Sequence, residues 1–85
     1  MHYIYILISN ACNRHYIGST ENVEIRLLKH NRGDVRSTKA YRPWSIVHIE
    51  SFHDKTSARR RELFLKKNAR ARKELFNQIT NGLIV

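Results

Sequence analysis

The first extended segment of the chain constrains the fold most, because residues 2–9 are apolar on both sides of an extended backbone. Successive side chains of a strand point to opposite faces, so Tyr3, Tyr5 and Leu7 share one face and three isoleucines share the other. A strand of this type is covered on both sides. The chain has 85 residues, enough for one core. We therefore predict one domain, residues 1–85, with segments packed against both faces of a small sheet.

The remaining segments predict an α/β (α+β) domain of order ββαβαα. A polar loop at Ser9–Asn13 joins the first strand to a second one, and the two form an antiparallel hairpin in which Tyr16 and Gly18 share a face. Gly33 ends the first helix, and Pro43 lies before the third strand. The predicted elements are a strand at Arg14–Ser19, a helix capped within Ser19–Glu21 that reaches about Asn31, a strand at Trp44–Ser51, a helix at Thr56–Lys67 capped by Asp54 or Thr56, and, after a break near Asn68, a helix at Ala69–Asn81. In the Trp44–Ser51 strand we expect Ile46, His48 and Glu50 on one face and Val47 and Ile49 on the other.

The charge of the chain indicates a polyanionic partner. Sixteen Lys and Arg against seven Asp and Glu give a formal net charge of +9, and each phosphate that such a surface neutralises releases counterions. Nucleic acid is the first candidate. An anionic membrane is less well supported, because no apolar run approaches the roughly 20 residues of a spanning helix. Cys12 is the only cysteine, which excludes an intramolecular disulfide and a Cys-rich zinc site and favours a reducing, cytoplasmic location.

Two tyrosines and two helical residues form the first candidate site. Single tyrosines in strands are usually structural, but adjacent antiparallel strands can bring the phenols of Tyr5 and Tyr16 onto one face. Arg26 and His30 are four residues apart and therefore share a helical face, where together they can hold one phosphate. The alternative for Arg26 is a charge that points into solvent, and the alternative for His30 is a residue that only ends the helix, where a cation favours the helix dipole.

Glu62 is the second candidate, because it lies four residues after Ala58 and three before Leu65, on the apolar face of its helix. A carboxylate there needs a partner, and we expect a metal ion or an arginine. Mg²⁺, or Mn²⁺ in its place, suits a site with one carboxylate, because Mg²⁺ keeps several waters. The alternative is an ion pair within Arg59–Arg61. The basic segments Arg36–Arg42, Arg59–Arg61 and Lys66–Lys73 favour a surface that follows phosphates.

In their order and spacing these residues resemble the GIY-YIG endonuclease superfamily, in particular its small single-domain members related to the nuclease module of the bacterial excision-repair incision subunit. The resemblance covers nearly the whole chain. Its motifs are Tyr3-Ile4-Tyr5, Tyr16-Ile17-Gly18-Ser19-Thr20, Arg26-Leu27, His30-Asn31, Thr38-Lys39, Arg42-Pro43-Trp44, and Ala58 with Glu62, Leu65 and Lys66. The chain departs from the family pattern at Tyr3, where the family has glycine, and a family asparagine after the glutamate corresponds to either Asn68 or Asn77.

The resemblance implies a three-stranded antiparallel sheet flanked by helices, and hydrolysis of nucleic-acid phosphodiester bonds with one divalent cation. By position, Glu62 would hold the metal and Arg26 would steady the scissile phosphate. The remaining three residues would orient or deprotonate the attacking water, with their division of labour left open: Tyr5, Tyr16 and His30.

Three functions therefore compete at this stage. The first is a metal-dependent endonuclease acting on DNA, structure-specific and serving repair or recombination. The second is a nucleic-acid-binding module of the same fold without catalysis, and the third is a basic adaptor that docks on an acidic protein. For the endonuclease, target choice comes from the surface of the domain, from an oligomer or from a partner protein, and the sequence leaves the oligomeric state open.

Overall fold

The computed structural model describes residues 1–84, with side chains for residues 1–81. Its elements follow the predicted order ββαβαα, and a single 3₁₀ turn at Lys39–Tyr41 interrupts the long loop before the third strand. The elements are β1 (His2–Ser9), β2 (His15–Thr20), α1 (Val23–Arg32), β3 (Trp44–Phe52), α2 (Lys55–Lys67) and α3 (Ala69–Ile84). The predicted three-stranded antiparallel sheet flanked by helices is confirmed, with strand ends that differ by at most one residue from the predicted ones.

The apolar first segment is the central strand of the sheet. The strand order is β2-β1-β3, and both neighbours pair with β1 in antiparallel fashion. Tyr5 lies opposite Gly18 of β2 on one side and opposite Ile49 of β3 on the other. This central position explains why neither face of β1 carries charged residues, because both faces are covered.

Each face of the sheet has its own core. On the α1 face, Tyr5, Leu7 and Trp44 are buried and pack with Val23 and Leu27 of α1. The second core lies on the opposite face of the sheet. It contains buried residues of the sheet and α2, and partly buried residues of α3: Ile4, Ile6, Ile17, Ala58 and Leu65, then Leu75, Phe76 and Ile79. The domain therefore has a helix, a sheet and a helix pair in three layers.

A bulge corrects the predicted alternation of the third strand. The pairing of β1 with β3 shifts between Ile6 and Leu7, so that Ile6 faces His48 while Leu7 faces Ile46. Ile46 packs in the α1 core, whereas Glu50 binds Arg61 of α2 on the other face. The prediction that Ile46, His48 and Glu50 share a face was wrong, because one extra residue in a strand reverses the faces beyond it.

The first helix begins later than predicted. Asn22 is its cap, and its side chain accepts a hydrogen bond from the backbone N–H of Ile25 at 3.1 Å. Ser19 and Thr20 cannot serve, because both remain in β2 and pair with β1. The helix ends as predicted at Gly33, whose φ of +85° is a left-handed conformation that favours glycine.

The last two helices are separated at Asn68, as predicted. Asp54 caps α2 by accepting a hydrogen bond from the N–H of Ser57 at 2.7 Å. Asn68 ends α2 and accepts from the N–H of Ala71 at 3.0 Å, which begins α3. The predicted end of α3 before Gly82 was wrong, because the helix continues to Ile84. A glycine ends a helix when its backbone is left-handed, and within residues 1–84 only Gly33 has a positive φ. No helix of the described chain is both long and apolar enough to cross a membrane.

Two leucines of α2 test this layering. Leu65 is fully buried between α2 and the sheet, while Leu63 is 42% exposed. We expect Leu65→Ala to lower the free energy of unfolding by about 2–5 kcal/mol, because the truncation leaves a cavity. Leu63→Ala should change it by less than about 1 kcal/mol. Urea denaturation followed by circular dichroism measures both, and equal losses in the two variants would contradict the placement of α2.

Candidate active site

The hairpin brings the two predicted tyrosines together on the α1 face. The ring centroids of Tyr5 and Tyr16 are 6.2 Å apart. Gly18 lies beneath them, and a Cβ at this position would stand 2.6 Å from the hydroxyl oxygen of Tyr5 and 2.9 Å from Cε2 of Tyr16. Any larger residue would displace the phenols, so Gly18 is needed for space.

Helix α1 places both of its predicted residues against Tyr5. The Tyr5 hydroxyl and Nε2 of His30 are 2.9 Å apart, and Nε of Arg26 donates to the same hydroxyl at 3.3 Å. His30 is fully buried and Tyr5 is 1% exposed. Four of the five predicted residues are thus grouped here: Tyr5, Tyr16, Arg26 and His30.

A hydroxyl from the loop after α1 fixes the tautomer of His30. Nδ1 of His30 lies 2.8 Å from Oγ1 of Thr38, and that hydroxyl donates its only proton to the carbonyl of Val35 at 3.3 Å. Thr38 must then accept from Nδ1–H, which leaves Nε2 as an acceptor for the Tyr5 hydroxyl. This assignment also satisfies Tyr5, since within residues 1–81 its other partner, Arg26, is a donor.

Burial keeps this pair neutral. Burial raises the pKa of Tyr5 to about 12, despite the opposing hydrogen bond from Arg26. Burial and, secondly, the positive charge of Arg26 lower the pKa of His30 to about 4. At pH 7 the site therefore holds a phenol that donates to an uncharged imidazole, next to a guanidinium.

Glu62 projects from α2 on the opposite face of the sheet and is 5% exposed. Ser19 of β2 donates to Oε1 at 2.7 Å, and Nζ of Lys66 lies 2.7 Å from Oε2. Burial alone would raise the pKa of Glu62, but the hydrogen bonds from Lys66 and Ser19 and the charges of Lys66 and Arg59 outweigh it and lower the pKa. The carboxylate is therefore ionised at neutral pH.

The two groups meet at the edge strand β2. Ser19, which binds Glu62, directly follows Gly18, which lies under the tyrosines. Nζ of Lys66 is 5.7 Å from the ring centroid of Tyr16, and the negative charge of Glu62 contributes to the raised pKa of Tyr5. One site therefore extends across both faces of an exposed sheet edge.

The donor set suits a hard cation that retains water. Within the described residues no group of three or more His, Cys, Asp or Glu side chains could hold a metal ion, and among the site residues described above Glu62 alone is a carboxylate. It is ionised, and the ammonium of Lys66 already takes a cation's position at Oε2. The Lys66 side chain is 44% exposed, so its ammonium can turn from Oε2 into solvent. This matches Mg²⁺ or Mn²⁺ chemistry, in which few protein ligands are used.

Sequence reasoning named Ser19, Thr38 and Lys66 as motif residues but gave them no role in the site. Thr38 holds His30, while Ser19 and Lys66 hold Glu62. Lys66 could have been predicted, because it follows Glu62 by one helical turn. Its Nζ is 2.7 Å from Oε2 of Glu62, closer than Nη1 of Arg59, which is 3.8 Å from Oε1. The two asparagines left open differ in placement: Asn68 joins α2 to α3, and Asn77 is exposed on α3.

Known proteins resemble this chain over most of its length. The family model described as GIY-YIG catalytic domain matches residues 1–75, which contain every side chain of the site. A UPF0213 protein of Halobacterium salinarum is 39% identical over 75 residues, or 87% of this chain and 96% of the relative. A UPF0213 protein of Bacillus velezensis is 38% identical over 76 residues, or 88% and 76%. The solution NMR structure of a UPF0213 protein from Bacillus halodurans matches with a TM-score of 0.55 and 32% identity, over 92% of this chain and 83% of that one.

The tautomer of His30 gives one test of the site. Replacing Thr38 by Val removes the acceptor of the Nδ1 proton, and we expect the imidazole to shift toward the Nε2-protonated form. Thr38→Ser, which keeps a hydroxyl, should retain the native form. Long-range ¹H–¹⁵N correlation spectra of the His30 ring distinguish the two tautomers. An unchanged spectrum in Thr38→Val would contradict the hydrogen-bond assignment.

The pH dependence of stability gives a second test. The folded pKa of His30, about 4, is below the unfolded value of about 6.5, so the unfolded chain binds a proton first as the pH falls. The stability due to neutral His30 is complete above pH 6.5 and is lost progressively toward pH 4. We expect urea midpoints to fall less between pH 7.5 and pH 5 in His30→Gln than in the native chain. His53→Gln, at an exposed position, is the control. Parallel curves of urea midpoint against pH for the native chain and His30→Gln would show that His30 does not cause the loss of stability.

Proposed function

Because this chain belongs to the GIY-YIG family of nuclease domains, we propose that it is a metal-dependent endonuclease that hydrolyses phosphodiester bonds of nucleic acid, with DNA as the polymer. One observation supports the proposal above the others. A neutral phenol–imidazole pair and a guanidinium lie on one face of β2, and an ionised carboxylate lies on the other, at the same point of the strand. Phosphodiester hydrolysis needs both a proton acceptor for water and positive charge on the phosphoryl oxygens.

Arg26 binds the scissile phosphate in this proposal. Its hydrogen bond to Tyr5 uses Nε and orients the guanidinium, and its Nη groups are the donors that would contact phosphoryl oxygens. Contact with Tyr5, ahead of the other causes, raises the pKa of Arg26, which therefore stays charged throughout. A fixed cation of this kind stabilises the negative charge that develops in the transition state.

Tyr5 and His30 accept the proton of the attacking water. With a pKa of about 12, Tyr5 does not exist as a phenolate at neutral pH, so it is a poor base alone. Its oxygen accepts a proton from water while its own proton passes to Nε2 of His30, 2.9 Å away. The imidazolium then lies near Arg26, and the negative charge growing on the phosphoryl group offsets that repulsion. Tyr16 orients the water; its ring packs edge-to-face against His30, with the ring centroids 4.8 Å apart.

Glu62 would hold the divalent cation, with Ser19 orienting the carboxylate through Oε1. When bound, the cation supplies positive charge to the phosphate and makes a coordinated water more acidic. Lys66 would give up Oε2 to the cation, and its ammonium, 5.7 Å from the ring centroid of Tyr16, would then be available to a phosphate.

The proposal is tested by cleavage of labelled duplex, single-stranded, flapped and branched DNA, and of RNA, with Mg²⁺ or Mn²⁺. We expect metal-dependent cleavage that falls by at least about 100-fold in Glu62→Gln, because an uncharged amide holds the cation weakly. Glu74→Gln removes the same charge from an exposed glutamate of α3 and should cleave normally. Preference for flapped or branched DNA would support a role in repair or recombination.

Binding to the same DNA separates the alternatives. We expect Glu62→Gln to bind DNA in EDTA as the native chain does. Binding without cleavage by the native chain would favour a non-catalytic module, and weak binding that does not depend on salt would favour an adaptor for acidic proteins.

A further inference from the structure

A basic pocket of about 630 Å³ lies beside the site, between the end of α1 and the loop that leads to β3. Its lining contains three cations and no carboxylate: Asn31, Arg36, Lys39, Ala40, Arg42 and Pro43. The volume is in the range of small-ligand pockets. None of the functions assigned above to Arg26, His30 or Glu62 uses this pocket.

Arg42 is held in place within the pocket. Its Nε donates to the carbonyl of Lys39 at 2.9 Å. Its guanidinium also lies directly over Gly33, where an added Cβ would stand 2.8 Å from Nη1. The glycine that ends α1 therefore makes room for the arginine, and the charged group needs little further ordering before it binds an anion.

The loop that carries the cations is fastened to the sheet. The side chain of Asn31 donates to the carbonyl of Trp44 at 3.1 Å and accepts from its N–H at 2.7 Å. The indole N–H of Trp44 donates to the carbonyl of Thr38 at 3.0 Å. The end of α1 and the middle of the loop are thus both attached to one buried residue, Trp44, which holds the backbone around the pocket in place.

The three cations lack compensating charges within residues 1–81. The ion pairs there join acidic groups to Arg32, Arg59, Arg61, Lys66, Arg70 and His48. Arg36, Lys39 and Arg42 are in none of them. Three like charges around one cavity repel each other, and an anion bound between them relieves the repulsion.

The pocket and the catalytic imidazole are next to each other along two segments of the chain. Asn31 of the pocket follows His30, and Lys39 of the pocket follows Thr38, which binds His30. An anion in the pocket is therefore close to the proposed reaction centre.

We propose that the Arg36–Lys39–Arg42 pocket binds a phosphate of the nucleic-acid substrate other than the scissile one. This inference rests on the proposed function for the identity of the polymer. The pocket would anchor the strand while Arg26 contacts the phosphate that is cut, so the two cationic sites have separate roles along one backbone.

The salt dependence of DNA binding tests the proposal without requiring cleavage. Binding of a labelled DNA duplex is measured in EDTA at several NaCl concentrations for the native chain, for Arg36→Ala/Arg42→Ala and for a control, Lys29→Ala/Lys55→Ala. The control removes the same charge from exposed positions outside the basic segments. We expect the slope of log Kobs against log[NaCl] to become shallower by about 1 in the pocket variant, as for one lost phosphate contact, and to change less in the control. Equal changes in the two variants would overturn the proposal.

A titration of the native chain with inorganic phosphate locates the site directly. We expect the backbone amide signals of Arg36, Lys39 and Ala40 to shift in ¹H–¹⁵N spectra, and the shifts to disappear in the pocket variant. Shifts spread evenly over the basic surface, or kept in the variant, would overturn the pocket. Cleavage of DNA with neither localised shifts nor a change of slope would leave the nuclease standing and reject the pocket. Localised shifts and a changed slope without any cleavage would support the pocket and reject the nuclease.

Discussion

The pairing of Tyr5 with Gly18 is the constraint on which the rest of the molecule depends. Side chains alternate along a strand, so a slip of one residue between β1 and β2 would move every side chain of β2 to the other face. Tyr16 would enter the core under α2, and Ser19 would turn away from Glu62. The two cores, and the meeting of both halves of the site at one edge, therefore follow from a single register. Gly18 helps to select it, because the Tyr5 ring needs the space above a residue without a side chain.

The sheet also separates two electrostatic environments. On the α1 face, complete burial of His30 disfavours charge, and the imidazole with its phenol partner stays neutral. On the α2 face, Glu62 is nearly as buried but remains ionised, since Ser19 and Lys66 replace the hydrogen bonds of water and Lys66 adds a countercharge. Burial favours the neutral form of both groups, and only Glu62 has partners that keep it charged. The edge strand β2 lies between the two environments, with Gly18 under the tyrosines and Ser19 bound to Glu62.

Much of this could be predicted from sequence because it depends on near neighbours. Periods of two and 3.6 residues predict the strands and helices, and a four-residue spacing puts Arg26 and His30 on one face. Contacts across long separations could not be predicted: Ser19 meets Glu62 over 43 residues, and Thr38 reaches His30 only because the loop folds back. The bulge opposite Ile6 and Leu7 leaves no pattern in the strand itself. The cap of α1 was misplaced for a related reason, since cross-strand pairing kept Ser19 and Thr20 in β2.

Trp44 is the only tryptophan of the chain and is 4% exposed. Its indole N–H binds the carbonyl of Thr38, its backbone binds Asn31, and its ring lies 6.5 Å from that of Tyr16. The fluorophore is thus built into the junction between the basic loop and the imidazole, with a tyrosine near enough to pass excitation to it. Intrinsic tryptophan emission from this protein reports on the geometry of that junction without any added label. Binding in the Arg36–Lys39–Arg42 pocket can therefore be followed by fluorescence in the unmodified chain.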